Sequence, residues 1–127
     1  MIKNFLIISC TGKNDKLGLK IDDNFFIHEL QTNINKNDNL VDIIFNFLKK
    51  NEVKLNKNFS VIVNNGPGSF STIRISLAVA KGMQISKEVG LYGYKDLDLS
   101  EFNLKNIEFL IKNNLIENKL IKPLYLS

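Results

Sequence analysis

The sequence predicts an α/β protein built on one mixed five-stranded sheet. Three short apolar runs, at residues 5–10, 17–21 and 25–30, follow one another with only polar turns between them, which predicts an antiparallel meander. Two further strand-like runs, at residues 59–63 and 89–94, alternate with helical patterns. Strands interleaved with helices after a meander indicate a mixed sheet with helices on its face.

The composition indicates a single globular domain. The chain has 127 residues, of which 44% are hydrophobic and 24% charged, enough for one core. No apolar run approaches the length of a membrane span, and the N-terminal apolar stretch is too short for a signal peptide, so we expect a cytoplasmic protein. The net charge of +4 comes from lysines scattered among polar segments, which favours solubility over a nucleic-acid surface.

A first helix is predicted over residues 40–51, with an Asn or Asp cap within residues 37–39. Its polar residues gather on one side, and its apolar residues cover more than half of the circumference. That is wider than the stripe of roughly 100° that covers a single sheet. The surplus apolar surface is explained either by helices that pack on each other or by a protein interface, and in so short a chain the interface is favoured.

The segment 61–82, VIVNNGPGSFSTIRISLAVAKG, predicts a strand, a tight loop and a helix. Gly66 and Gly68 can adopt backbone angles closed to other residues, and Pro67 stiffens the loop. Ser69 is placed to cap the orphan amides at the start of the helix. The loop is therefore expected to serve the shape of the chain at this point.

The second helix is apolar almost all round. Its only charges, Arg74 and Lys81, share one narrow side, and Thr72, Ser76 and Ala80 form a stripe of small side chains on the side away from Arg74. Either the helix is pressed onto its own sheet, or it is shared with a partner whose helix approaches along this stripe. Arg74 is the sole arginine of the chain, whereas every other positive charge is a lysine. This suggests that the planar guanidinium, with its N–H donors in a fixed arrangement, is required at this position.

The segment GPGSFSTIRISLAVAKG resembles the GPGSFTGLRIGLAxAKG signature of the TsaB family. That family is the non-catalytic partner of TsaD in the threonylcarbamoyl modification of tRNA adenosine. The chain departs from the signature at four positions, where Ser71 replaces Thr, Thr72 and Ser76 replace Gly, and Ile73 replaces Leu. The resemblance implies a ribonuclease H-like half-domain of the actin and sugar-kinase superfamily.

The resemblance returns at the C-terminal end. Residues 104–118 contain a last helical pattern, and the ending IKPLYLS is close to the family's P-x-Y-L-R, matching at Pro123, Tyr125 and Leu126. Usual members carry a second half-domain before that ending. The resemblance therefore implies an N-terminal domain over residues 1–94, with residues 95–127 forming a linker, helix and tail in place of the second domain.

The sequence offers little for catalysis. The GPGS loop lacks the Gly-Lys-Ser/Thr ending of a Walker loop, and because the superfamily binds nucleotide between two half-domains, no self-contained ATP site is expected. Ser9 stands where related proteins commonly have aspartate, and the central strand ends at Asn64 and Asn65, so the carboxylates of two-metal catalysis are missing. His28 has no second histidine or nearby cysteine with which to make a metal site, and Cys10, in an apolar strand, is expected to be a buried bystander. We expect no catalytic residue, metal or cofactor.

The function implied by the resemblance is a binding subunit that activates a TsaD-like catalytic subunit. A TsaE-like ATPase and the enzyme that forms threonylcarbamoyl-adenylate would complete the pathway, and tRNA would be contacted at most indirectly. The alternatives are a diverged homodimer that uses the same helices and an anion-binding or hydrolytic module that uses the Gly66 to Ser69 loop with Arg74. We expect Arg74 to be a polar anchor. The interface candidates are Val41, Phe45, Phe47, Leu48, Phe70, Thr72, Ile73, Arg74, Ser76 and Ala80.

Overall fold

The computed structural model describes residues 2–30 and 40–118. Its strands and helices follow the order that the sequence predicts, and a short 3-10 turn, Asp96–Asp98, follows the last strand. The elements are β1 (Asn4–Ser9), β2 (Lys16–Ile21), β3 (Asn24–Glu29), α1 (Leu40–Lys50), β4 (Phe59–Asn64), α2 (Phe70–Lys87), β5 (Gly90–Tyr94) and α3 (Leu104–Lys112).

The five strands form one sheet in the order β3-β2-β1-β4-β5. The first three strands pair antiparallel as the predicted meander. β1 pairs parallel with β4, and β4 pairs parallel with β5. The mixed α/β sheet predicted from the sequence is confirmed. β4 connects to β5 through α2, and the longer connection from β1 to β4 contains β2, β3 and α1.

Alternate side chains of the strands point to two separate apolar clusters. One face of β1 and β4 packs with the buried side of α1 and α2, through residues such as Ile44 and Leu77. The other face packs with α3, where Ile107 and Leu110 are buried. This two-sided burial follows from the period of two along a strand and explains the continuous apolar runs of β1 and β4.

The region after β5 is more ordered than the polar link that the sequence suggests. Asn103 caps α3 by accepting a hydrogen bond from the Asn106 backbone N–H at 2.8 Å. α3 ends at Lys112, earlier than the predicted stretch of 104–118, and Glu117 then pairs with Gly93. Because α3 covers the second face of the sheet, it packs with strands of residues 1–94, and the division at residue 94 stays a prediction.

Two sequence-based expectations lie outside the described residues. They are the helix cap within residues 37–39 and the match at Pro123, Tyr125 and Leu126. Within residues 2–30 and 40–118, no helix is both long enough and apolar enough to cross a membrane.

Candidate functional site

The GPGS loop is seated on the loop that follows β1. The Ser69 backbone N–H donates to the Thr11 carbonyl at 2.8 Å. A Cβ on Gly68 would lie 2.6 Å from the Thr11 Cβ and 2.7 Å from the Thr11 carbonyl oxygen, so this close approach requires glycine. Gly66 has φ of 101°, in the left-handed region that favours glycine. The two glycines therefore fix the shape of the strand-to-helix connection.

Ser69 does not act as the predicted side-chain cap. It occupies the N-cap position of α2, but its hydroxyl accepts no hydrogen bond from the amides of the first turn. The Ser69 Oγ instead lies 3.4 Å from the Ser71 Oγ. The expectation that the Ser69 side chain satisfies the first helical amides is therefore wrong.

A hydrogen-bond network joins the carboxyl ends of the three parallel strands. The Asn64 Nδ2 donates to the Ser9 Oγ at 3.2 Å and to the Asp96 Oδ1 at 2.9 Å. The Asn64 Oδ1 accepts from the Gly66 backbone N–H at 2.9 Å. Sequence reasoning missed Asp96. The available signal was its position directly after β5, at the edge where parallel strands place their functional residues.

Tyr94 lies beneath this network. Its side chain is buried, and its hydroxyl lies beside Ser9 and Asn64 without a regular hydrogen bond among the described residues. Burial raises the pKa of Tyr94 well above its ordinary value, although its polar neighbours partly oppose the shift. The phenol therefore stays neutral, and this edge of the sheet carries one buried, uncharged polar group.

A cavity of about 650 Å³ opens beside the network, but its charges are balanced. Two lysines, Lys13 and Lys16, and two carboxylates, Asp96 and Glu101, are among its lining residues. The backbone N–H groups of Thr11 and Gly12, which could have faced an anion, both donate to the Asp15 Oδ1, at 3.1 and 2.9 Å. No group of three or more His, Cys, Asp or Glu residues in the described part of the chain could hold a metal ion.

The small stripe of α2 faces the protein's own core. Thr72, Ser76 and Ala80 are all buried within the chain. The Thr72 hydroxyl donates to the Ser69 carbonyl at 3.3 Å, and the Ser76 hydroxyl donates to the Thr72 carbonyl at 2.7 Å. Because both hydroxyls are satisfied by the backbone of their own helix, they can be buried without a partner side chain. The stripe is therefore not open to a partner helix in this structure.

The opposite side of α2 is the exposed one. Arg74 lies there with its guanidinium carbon 5.6 Å from the centre of the Phe70 ring, a distance suited to a cation–π contact. Ala78, Gly82 and Ile85 continue the same side at helical spacing and are exposed. A Cβ on Gly82 would meet nothing within 4 Å. Small residues therefore do lie along an accessible side of α2, but on the Arg74 side.

α1 also divides into a buried and an exposed side. Phe47 and Leu48 are buried, and the Phe47 ring lies 5.6 Å from the ring of the exposed His28. Val41 and Phe45 point outward with 45% and 42% of their surface exposed. α1 and α2 lie on the same face of the sheet and contact each other. We call the exposed residues Val41, Phe45, Phe70, Arg74, Ala78 and Ile85 the helix face.

Comparison with known proteins finds one curated relative and solved structures with a similar fold. No family model matches the chain. A curated relative, the tRNA threonylcarbamoyladenosine biosynthesis protein TsaB of Buchnera aphidicola subsp. Baizongia pistaciae, is 48% identical over 46 residues, which are 36% of this chain and 21% of the relative. YeaZ from Pseudomonas aeruginosa superimposes with a TM-score of 0.68 at 17% identity, over 76% of this chain and 46% of that one. The chain is therefore similar in sequence to part of a TsaB and in fold to part of YeaZ.

A second solved structure has a fold similar to that of the chain. It is described as an uncharacterized protein with similarity to peptidase YEAZ from Pseudomonas aeruginosa, and it superimposes with a TM-score of 0.66 at 17% identity, over 76% of this chain and 45% of that one. The mixed sheet with its helices is thus shared with these two structures, and it is consistent with the ribonuclease H-like fold that the sequence resemblance implies. The chain spans less than half the length of either structure, and the curated match covers about a fifth of its relative.

The ten predicted interface residues fall into two groups. Val41, Phe45, Phe70 and Arg74 are exposed and belong to the helix face. The other six are buried in the chain's own core and are not accessible to a partner in this structure: Phe47, Leu48, Thr72, Ile73, Ser76 and Ala80. Ala78 and Ile85 were missed, although both lie on the Arg74 side of the helical wheel.

Proposed function

We propose that this chain is a non-catalytic subunit that binds and activates a TsaD-like protein in the threonylcarbamoyl modification of tRNA. The main observation that supports this proposal is the helix face, which contains exposed apolar side chains of α1 and α2 and the sole arginine of the chain. The proposal is supported by the curated relative, whose name places it in tRNA threonylcarbamoyladenosine biosynthesis. The helix face would be the contact surface for the TsaD-like partner.

The chemistry of the helix face suits a protein partner. Phe70 is 55% exposed, and burying a phenylalanine side chain fully contributes about 1.5–3 kcal/mol. Arg74 carries a planar guanidinium whose N–H groups can bind a carboxylate or carbonyl while its flat side rests near the Phe70 ring. Arginine and aromatic residues at the centre of a contact contribute most of the binding energy in typical interfaces. Arg74 is therefore the proposed polar anchor.

A non-catalytic role is supported by the strand ends. Ser9 and Asn64 occupy the carboxyl ends of β1 and β4, where a two-metal nuclease needs carboxylates. The Asp96 carboxylate nearby accepts a hydrogen bond from Asn64. The network is suited to fixing the strand ends, and the reaction would then depend on the TsaD-like subunit, a TsaE-like ATPase and the enzyme that supplies threonylcarbamoyl-adenylate.

The test is to mix the full chain with the TsaD-like protein of the same organism and to measure the eluting mass by size-exclusion chromatography with light scattering. We expect a one-to-one complex. Phe45→Asp should raise the dissociation constant of the complex at least tenfold, which corresponds to about 1.4 kcal/mol of binding free energy. The reason is that a charge would replace a ring buried in the contact. Phe109→Asp is the matched control, since Phe109 is 58% exposed on α3, which covers the opposite face of the sheet.

Two outcomes would contradict the proposal. A homodimer that does not bind the TsaD-like protein would favour the diverged homodimer. A complex that Phe45→Asp and Phe109→Asp weaken equally would place the contact elsewhere.

The anion-binding alternative is tested separately, since nucleotide or phosphate that binds the folded chain must raise its melting temperature. The complex should then support threonylcarbamoyl transfer to tRNA when the ATPase and the adenylate-forming enzyme are added.

A further inference from the structure

Strand β3 forms one edge of the sheet and lacks three features by which proteins protect an edge from pairing. In the part of the chain that the structure describes, it is the last strand in the sheet order, beside β2. Its sequence, NFFIHE, contains no proline and no lysine, and its pairing with β2 runs without a bulge. Phe26 and Ile27 expose 39% and 47% of their surface. A regular, apolar and exposed edge strand is a surface on which another strand can pair.

The register with β2 determines which backbone groups of β3 face outward. The Leu30 N–H donates to the Asp15 carbonyl at 2.9 Å, so Leu30 directs this group toward the β2 side. Because this direction alternates along a strand, Phe25, Ile27 and Glu29 direct their N–H and C=O groups to the outer edge. The edge therefore presents donors and acceptors at every second residue to a neighbouring strand.

We propose that β3 pairs antiparallel with β3 of a second copy of this chain, around a two-fold axis at Ile27. In this arrangement Ile27 is opposite Ile27 of the second copy, and Phe25 is opposite Glu29 of the second copy. Each of these pairs exchanges two backbone hydrogen bonds. The two five-stranded sheets would then form one continuous sheet across a self-complementary interface.

Charge complementarity favours this register over its neighbours. An axis at Phe26 would place Glu29 opposite Asp23 of the second copy, and like charges that face each other are unfavourable. An axis at His28 would reduce the overlap of the two strands to residues 27–29. With the axis at Ile27, the one carboxylate of β3 is opposite an aromatic ring, and it keeps its contact of 3.9 Å with Lys16 of its own β2.

The side chains also match on both faces of the sheet in this register. On the α1 face, Phe26 and His28 of the second copy form a non-hydrogen-bonded pair, the closer of the two types, in which aromatic side chains stabilise a sheet. The His28 ring already lies 5.6 Å from the Phe47 ring, so the second copy would add a ring to an existing pair. On the other face the two Ile27 side chains would cover each other.

This proposal does not depend on the proposed function. Ile43 and Phe47 of α1 line a groove of about 690 Å³ beside β3. Val41 and Phe45 of the helix face lie on the other side of α1. A dimer through β3 therefore leaves the helix face accessible, and it would keep a one-to-one ratio with a TsaD-like protein.

The first test is analytical ultracentrifugation of the full chain, without another protein, over a range of concentrations. We expect monomer and dimer in exchange. Ile27→Lys should raise the dimer dissociation constant at least about tenfold, because two positive charges would face each other at the axis. Ile85→Lys is the matched control and should leave this constant unchanged, since Ile85 is 83% exposed on the helix face.

Two results of this test would overturn the proposal. One is a wild-type chain that stays monomeric at about 1 mM. The other is a dimer that Ile85→Lys weakens and Ile27→Lys does not, which would place the contact between copies on the helix face.

The second test uses the wild-type chain and decides the matter if Ile27→Lys does not fold. In amide hydrogen exchange measured by NMR, the protection of Phe25 and Ile27 should increase with protein concentration, while β1 is protected at every concentration. In a mixture of differently labelled chains, an intermolecular contact should join the Phe26 Hα and the His28 Hα, because such pairs bring their Cα atoms to about 4.5 Å.

Two results of the second test would contradict the proposal. If the protection of Ile27 is the same at every concentration, the edge is either open or covered by the same chain. If a dimeric sample lacks the contact between Phe26 and His28, the two copies pair elsewhere or in another register.

Discussion

Asn64 shows how one side chain can organise a whole edge of the sheet. It bonds Ser9, Gly66 and Asp96, which belong to three different segments. Asn64→Ala removes all three bonds and should lower the free energy of unfolding by about 2–3 kcal/mol, measured by urea denaturation. Asn65→Ala is the neighbouring control, because the Asn65 Oδ1 has no hydrogen-bond partner among the described residues. Equal losses for the two variants would mean that the network contributes little.

Tyr94 should make the stability of the protein sensitive to alkali. Its pKa is raised in the folded state, so the phenol is protonated in both states below about pH 10 and ionises more readily when unfolded above that pH. Stability should therefore fall as pH rises above about 10, and Tyr94→Phe should lose this part of the dependence. Every other group is the same in the two proteins, so the difference between their melting curves from pH 8 to 11 isolates Tyr94. Parallel curves would contradict the assignment.

At the scale of elements, α2 has one side in the core and another side on the helix face. Ala80 is buried and Ala78 is exposed, two positions apart on the same helix. Ala80→Leu should cost about 1–3 kcal/mol of stability because it overpacks the core. Ala78→Leu should leave the urea midpoint unchanged within about 0.5 kcal/mol and weaken the complex with the TsaD-like protein instead. If Ala80→Leu left stability intact, the burial of the small stripe would be in question.

The strands of this protein could be predicted from the sequence, whereas the orientation of helix α2 could not. The strand positions follow from apolar runs bounded by turn residues, and the meander of the first three strands follows from their short connections. The orientation of α2 could not be predicted, because apolar residues surround that helix and give no preferred side. The place of Thr72 and Ser76 on the stripe of small side chains predicts that they face a partner. Only the structure shows that their hydroxyls bond within the helix, which allows both residues to be buried. Asp96 meets Asn64 only through the register of β4 and β5, a contact between residues far apart in sequence.

At the scale of the whole molecule, the sheet needs a cover on each face. α1 and α2 cover one face, and α3 covers the other through Ile107 and Leu110. Without α3, the buried side chains of Phe5, Ile7 and Ile62 would face water, which is unfavourable by roughly 25 cal/mol for each Å² of apolar surface. Residues after β5 should therefore fold together with the strands before it.

Ile107→Ala tests this cooperation. The side chain is fully buried, so the substitution should lower the free energy of unfolding by about 2–5 kcal/mol. Phe109→Ala, on the exposed side of the same helix, should change it by less than about 1 kcal/mol. Thermal unfolding followed by circular dichroism should remain one transition that moves to lower temperature, and the amides of β1 should lose protection together with those of α3. If only α3 lost protection, the predicted boundary after residue 94 would separate two units that fold independently.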